Sequence, residues 1–500
     1  MGKLTEKVAK GVFWVLLEKF GIQVAHFVVT LVLARLLTPN DYGTVALLSI
    51  FVSLSNILVD SGFGKALIQK KDATQTDYNT VFYISLAISG VLYAVLFVGA
   101  PLVSEFYNIP ELTSMLRVMA LSLIFHAING VQNVELNRKM KFKLSFRISW
   151  VRTFFSSATG VGMALLDYGA WSLVWSSVVG GVVGMIARQL VIAWRPSLTF
   201  SWESAKALFR YGWKIVVARI VATLYRDLSV LLIGKFYTRA DLAFVKKGSH
   251  VPHLLVNSVD RTLARVSFPA LVKMQDSPDR LRRAMRRMIR ATTFCVFPLM
   301  AFCSACAEDI VVVLLGEQWL PTAPYLALWA CIWATIPFNT LNVQGMAATG
   351  RSGVYLVTVI VRRLIALTVI LSTIRYGVLT FVTCIALINA PLGILVNTWP
   401  NGRYLGYTIV MQFKDVLPAF LLSLLSASCM YVVEMIHIVP AARLPIACIV
   451  GLAVYLVSAI LLKLDAVSDM SSALLSGKKK IPPFVADGLQ WLACRRRKHR

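Results

Sequence analysis

Acidic residues are scarce in this 500-residue chain, with 24 Asp and Glu against 51 Lys and Arg, and all charged residues together make up only 15 %. That excludes an ordinary soluble globular protein, which carries about 25 % charge. Cysteine is sparse too, at eight residues; the one close pair, Cys303-x-x-Cys306, lies in an apolar stretch with no histidine or second pair near it, so packing is expected and no metal site. No Gly-x-x-x-x-Gly-Lys phosphate loop occurs, which removes direct ATP use, and no cofactor is expected. No small-residue cleavage site follows the first hydrophobic stretch, so that stretch is expected to remain as a helix. No soluble, aromatic-interleaved basic segment accompanies the net charge of +27, so nucleic acid is not an expected partner.

What is present is hydrophobicity: 57 % of residues, with a mean hydropathy of +0.70. Runs of 20 or more mostly apolar residues, enough to cross about 30 Å of hydrocarbon, recur between short polar breaks. The reading gives an all-α integral membrane protein with about 14 transmembrane helices, among them residues 11–36, 41–60, 211–236 and 241–270 as spans one, two, seven and eight. Span eight is the least apolar, because it contains Lys246, Lys247, His250, Asp260, Arg261 and Arg265.

Positive charge marks cytoplasmic loops. Even-numbered gaps and the two ends hold 33 Lys and Arg, whereas the odd-numbered gaps hold 3, namely Arg239, Arg375 and Arg443. Both termini are therefore expected in the cytoplasm. The longest exported gap is then about eleven residues, Ser104 to Ser114, which is little room for the catalytic loop of a membrane polysaccharide polymerase or glycosyltransferase.

A phrase recurs in the chain. LARLLTPNDYG at Leu33 to Gly43 returns as IGKFYTRADLA at Ile233 to Ala243, each running from apolar residues through a basic one into Thr-x-x-Asp. At the same offset of 200, Lys19 matches Arg219, His26 matches Arg226, Asp60 matches Asp260 and Lys65 matches Arg265. The implied organisation is an N-lobe over residues 1–200, a C-lobe over 201–400, two further helices over 401–470 and a basic cytoplasmic tail over 471–500. Six helices per lobe place both lobes the same way up, related by an axis along the membrane normal, as in transporters whose halves rock about a shared site.

Ionisable residues inside a membrane cost several kcal/mol unless a wet cavity or a partner receives them. Lys19 and His26 share one face of span one, with Glu18 adjacent; Arg219 and Arg226 share one face of span seven, with Lys214 and Asp227 close in sequence. Two matched basic helices point to an anionic ligand, and Arg152 in span five, with Arg362 and Arg363 in span eleven, would extend the lining. The alternative stays open that Lys19 and Arg219 snorkel and that Arg226 pairs with Asp227 or Asp60. Asp60 and Asp260 are read as gate ion pairs or as helix-end charges, and Glu18 and His26 as groups that could couple a proton. His126 and Asn129 are read as helix-packing groups. PDRLRRAMRRMIR at Pro278 to Arg290 is amphipathic and expected to lie on the cytoplasmic membrane surface, where the tail after Lys478 would also meet anionic lipids.

KGVFWVLLEKFG, LARLLTPNDYG, DSGFGKALIQKK at Asp60 to Lys71 and SVDRTLARVSFPALVKMQ at Ser258 to Gln275 resemble the polysaccharide transporter family. These are the Wzx-type flippases of the multidrug/oligosaccharidyl-lipid/polysaccharide superfamily, with colanic-acid-exporter-like members most similar. The resemblance implies an undecaprenyl-pyrophosphate-linked oligosaccharide as cargo, turned from the cytoplasmic to the periplasmic leaflet of a bacterial inner membrane for exopolysaccharide or lipopolysaccharide synthesis. It implies no enzymatic activity, and as partners the membrane lipids and the polysaccharide polymerase machinery. Lys19, Lys214, Arg152, Arg219 and Arg226 become the expected substrate-binding positions, and Glu18, His26, Asp60, Asp227 and Asp260 the coupling or gating ones. An ion-coupled drug antiporter of the same superfamily is the rival; it would favour buried carboxylates, whereas the balance here is basic.

Overall fold

In the computed structural model, residues 21–60, 63–69, 73–139, 141–462 and 464 are described. Glu18 and Lys19 lie outside them, and so does the side chain of Lys214. Among the described residues the secondary structure is helical throughout, with no strand. Among the described residues ten helical stretches are long and apolar enough to cross a membrane, and Gly21–Leu36 is a shorter apolar helix. The chain is a multi-pass membrane protein. Three further helices, Phe142–Leu165, Trp202–Phe236 and Arg239–Val272, have 24, 35 and 34 residues but are too polar to join that set. They carry Arg147 and Arg152, Arg219 and Arg226, and Lys247 and Arg261, respectively.

The helices are α1 (Gly21–Leu36), α2 (Pro39–Asp60), α3 (Phe63–Gln69), α4 (Gln75–Tyr107), α5 (Leu112–Ala120), α6 (Ser122–Arg138), α7 (Phe142–Leu165), α8 (Ala170–Val191), α9 (Trp202–Phe236) and α10 (Arg239–Val272). They continue as α11 (Pro278–Ala305), α12 (Ala307–Leu314), α13 (Ala323–Ala334), α14 (Ile336–Ala348), α15 (Ser352–Thr373), α16 (Val378–Cys384), α17 (Ala390–Leu405), α18 (Ile409–Glu434) and α19 (Pro440–Leu461). Two compact units form, Met1–Ala243 and Phe244–Arg500.

The recurring Thr-x-x-Asp phrase opens a helix in both places, and local chemistry explains it. Before α2, the Thr38 amide and hydroxyl donate to Asp41 Oδ2 at 2.9 and 2.6 Å, while the Asp41 amide donates back to Thr38 Oγ1 at 3.4 Å. Before α10, Thr238 and Asp241 repeat this at 3.1, 2.6 and 3.1 Å. Each box satisfies amides that the first helical turn leaves without partners. Thr74 and Asp77 build a third box at the start of α4, so the motif by itself specifies a helix start.

In the first unit the two repeated corners meet. A Cβ on Gly43 would fall 1.9 Å from the Arg239 carbonyl oxygen, and one on Gly234 would fall 2.2 Å from Leu47 Cδ2, so neither position has room for a side chain. The Arg239 guanidinium donates to Thr44 Oγ1 at 3.2 Å and lies 3.8 Å from Glu111. Lys235 Nζ donates to the Phe106 carbonyl at 2.6 Å. A core of Phe63, Leu67, Phe82, Val131, Trp194 and Leu208 gathers α3, α4, α6 and the start of α9.

In the second unit the amphipathic stretch differs from its expected surface position. Residues 278–290 form the first half of α11, continuous with the apolar half that follows. Leu281, Met285 and Ile289 are fully buried against Phe338, Leu341 and Tyr407 rather than against lipid. Its arginines have a protein partner: Arg286 donates to the two oxygens of Asp415 at 2.7 and 2.8 Å, and Arg290 Nε donates to the same carboxylate at 2.8 Å. Tyr407 donates its hydroxyl to Asp415 at 2.9 Å; burial and the adjacent carboxylate push that phenol far above its ordinary titration range. Between α16 and α17 the helix widens to a π-turn over Ile385–Asn389, just before Pro391, whose missing N–H cannot serve a regular α-helical bond.

Candidate functional site

Asp60 ends α2, and its charge is met from two other helices of the first unit. Arg219 of α9 donates from Nη1 to Oδ2 at 2.9 Å, and His126 of α6 donates from Nε2 to Oδ1 at 2.9 Å. The three side chains are 35 %, 41 % and 41 % exposed, so the cluster is reachable from outside the packed protein. Charged groups this open exchange partners at low cost, because each bond is worth about 1 kcal/mol or less.

His126 belongs to a polar stripe. Asn129 and Asn133 lie three and seven positions further along α6, which returns them to the same helix face. Arg188 of α8, only 8 % exposed, reaches both, donating to Asn133 Oδ1 at 3.2 Å and to Asn129 Oδ1 at 3.3 Å, and also to the Gly184 carbonyl at 2.9 Å. Arg152 of α7 lies against the glycines of α8. A Cβ at Gly184 would come within 3.3 Å of Arg152 Cδ and 3.1 Å of Arg188 Nη1, so glycine there lets two guanidinium-bearing side chains approach one point. On four helices the stripe thus sets Arg219 and His126 at the carboxylate of Asp60, and Arg188 and Arg152 at Gly184. Its excess of fixed positive charge and forked donors suits an anion carrying several oxygens.

The other expected residues are placed as follows. Arg226 is 67 % exposed and donates from Nε and Nη2 to Asp227 at 3.1 Å each. His26 lies exposed on α1. Asp260, in the second unit, has its Oδ1 buried without a hydrogen-bond partner among the described residues, unlike its repeat mate Asp60. Cys303 and Cys306 are buried thiols, and among the described residues no group of three or more His, Cys, Asp or Glu could hold a metal ion.

His126, Asn129, Asn133 and Arg188 were not among the expected site residues. A sequence signal existed for the first three, polar groups spaced by three and four along one face of α6. Arg188 had none, since only the packing of α8 on α6 brings it there.

Comparison with known proteins bears on this architecture. The family described as "Polysaccharide biosynthesis protein" matches residues 32–324. The chain is 22 % identical over 436 residues to the teichuronic acid biosynthesis protein TuaB of Bacillus subtilis (strain 168), covering 85 % of this chain and 88 % of the relative. It is 26 % identical over 323 residues to the succinoglycan biosynthesis transport protein ExoT of Rhizobium meliloti (strain 1021), covering 65 % of each. To the lipopolysaccharide biosynthesis protein WzxC of Escherichia coli (strain K12) it is 22 % identical over 336 residues, 65 % of this chain and 66 % of that one. Among solved structures, the lipid II flippase MurJ in an inward closed conformation shares the fold with a TM-score of 0.72 at 13 % identity, over 90 % of this chain and 98 % of that one. An inward-facing multidrug resistance MATE family transporter of the MOP superfamily follows at 0.54 and 13 %, over 81 % and 94 %. The Wzx-type resemblance of the quoted segments agrees with these matches, and the chain belongs to the polysaccharide biosynthesis protein family.

Proposed function

We propose that this chain is a flippase that moves undecaprenyl-pyrophosphate-linked oligosaccharide repeat units from the cytoplasmic to the periplasmic leaflet of a bacterial inner membrane. The observation that carries the reading is the polar stripe of the first unit, in which Arg219 and His126 meet the carboxylate of Asp60 while Arg188 and Arg152 converge on Gly184. A pyrophosphate crossing hydrocarbon meets a cost of several kcal/mol per charge, and a row of exchangeable guanidinium donors lowers it. In this mechanism the anion takes Arg219 from Asp60, and His126 keeps the freed carboxylate hydrogen-bonded, so no charge is left without a partner while the substrate is held. Release restores the Arg219–Asp60 pair and clears the path. The family membership and the flippase fold support a transporter acting without covalent chemistry on its cargo.

The same reading includes fourteen spans with both termini in the cytoplasm, and two six-helix repeats that alternate access to the two sides of the membrane.

The test is flipping in proteoliposomes. An undecaprenyl-pyrophosphate oligosaccharide is supplied in one leaflet and scored on the other for wild type, Arg219→Ala, Arg188→Gln and His126→Ala. Loss of transport by at least tenfold in Arg219→Ala, with an unchanged elution profile in detergent, is the expected result. Wild-type rates in all three variants would refute the site, and wild-type exchange of organic cations for protons with no lipid movement would replace the flippase with an antiporter.

A further inference from the structure

The second unit holds a cavity of about 610 Å³ among α11, α13, α14, α17 and α18, walled by Phe297, Phe338, Leu395, Phe413 and Phe420. At about 30 Å³ for each water-sized group, that is room for about twenty methylenes. Its walls follow one face of α18 from Ile409 to Ala427, a rise of roughly 27 Å at 1.5 Å per residue. Several lining residues are also open to the outside of the helix bundle, Phe413 at 62 %, Phe420 at 47 % and Leu424 at 49 % exposed. In a membrane-spanning chain that outer face meets lipid, so the cavity is a slot entered sideways from the bilayer.

Among the lining residues Ser304, Thr335, Thr398 and Ser423 are polar but each has its hydroxyl hydrogen-bonded; Gln412 is the amide among them. Gln412, one turn into α18 and only 1 % exposed, donates from Nε2 to the Tyr407 carbonyl at 3.1 Å. Its Oε1 is buried and has no hydrogen-bond partner among the described residues. Leaving a buried acceptor without a donor is costly, and a ligand with an N–H or O–H group removes that cost. Beside it, Asp415 already engages Arg286, Arg290 and Tyr407, so those groups do not serve Gln412.

We propose that this slot is a binding site for one bilayer phospholipid, with a single acyl chain along α18 and a donor-bearing headgroup such as ethanolamine hydrogen-bonded to Gln412 Oε1. The volume accommodates a chain of sixteen to eighteen carbons and is too small to enclose a fifty-five-carbon isoprenoid whole. The site lies wholly in the second unit and does not depend on the identity of the transported cargo.

The experiment reconstitutes the full chain in nanodiscs of equal phosphatidylethanolamine and phosphatidylcholine with matched chains, plus a trace of undecaprenyl phosphate, then re-extracts it in mild detergent for native mass spectrometry. Wild type is expected to retain one phospholipid, ethanolamine over choline by about fivefold, which is what one hydrogen bond of about 1 kcal/mol confers. Gln412→Leu keeps the slot's shape and is expected to retain lipid with that ratio reduced to about one. Ala301→Phe fills the slot and is expected to retain none. Should the filled variant fail to fold, the headgroup ratio in Gln412→Leu decides alone. The proposal is overturned if wild type retains no bound phospholipid, if the two headgroups bind equally in wild type, or if undecaprenyl phosphate is the species retained.

Discussion

Replacing Asp415 by alanine removes a carboxylate that is 3 % exposed and that receives two hydrogen bonds from Arg286, one from Arg290 Nε and one from Tyr407. The loss is larger than the bonds themselves, because the two arginines stay behind at 36 % and 19 % exposure with their shared anion gone. Breaking a buried pair by deleting one partner costs about 3–5 kcal/mol. Arg286 is open enough to recover water, which reduces the expected figure to about 2–4 kcal/mol. The variant Asp415→Leu/Arg286→Met/Arg290→Met removes all three charges and should lie closer to wild type than Asp415→Ala, since no uncompensated cation remains. The assay is the midpoint of thermal aggregation in detergent followed by size-exclusion fluorescence, with proteolysis of α11 at its arginines as a second reading. If the triple variant is less stable than Asp415→Ala, or if Asp415→Ala matches wild type, the carboxylate is not what anchors α11 to α18.

Two further predictions rest on local geometry. Gly43→Ala would put a methyl 1.9 Å from the Arg239 carbonyl, whereas a Cβ at Gly90 meets nothing within 4 Å. The first change should therefore force the corners of α2 and α10 apart and lower thermal stability and transport together, while Gly90→Ala leaves both within error; equal behaviour of the two would refute the close approach. Thr38→Ala and Thr238→Ala each remove a helix cap of the same geometry and should each cost about 1 kcal/mol. Measured by hydrogen exchange at the first turns of α2 and α10, a loss of protection in only one of them would show that the repeat is not energetically equivalent.

How much of this was legible in the chain depends on the range of the forces involved. The membrane class, the all-helical structure and the family follow from residues read in order, because hydropathy acts on each helix separately. The helix starts at Thr38, Thr74 and Thr238 are local as well, since a capping box joins residues three apart. The amphipathic period of residues 281–289 was equally legible, but a period states which side is apolar and says nothing of what covers it. Protein covers it, through Phe338, Leu341 and Tyr407.

The candidate site was partly visible. Arg219, Asp60 and Arg152 stood out as charges within apolar stretches, whereas His126 and Asn129 read as helix-packing groups and Arg188 carried no signal. Their partners on other helices are 55 to 66 residues away along the chain, and that of Arg219 is 159 away. Asp60 and Asp260 are equivalent in sequence, yet one accepts from Arg219 and His126 and the other buries an oxygen with no hydrogen-bond partner among the described residues. Sequence by itself determined that charges would enter the membrane and on which helices, because burying them is costly enough to be noticed anywhere. Which charge meets which, and whether an apolar wall closes or leaves a slot, was decided only by tertiary structure, since pairing and packing depend on distances of a few ångströms that no one-dimensional pattern contains.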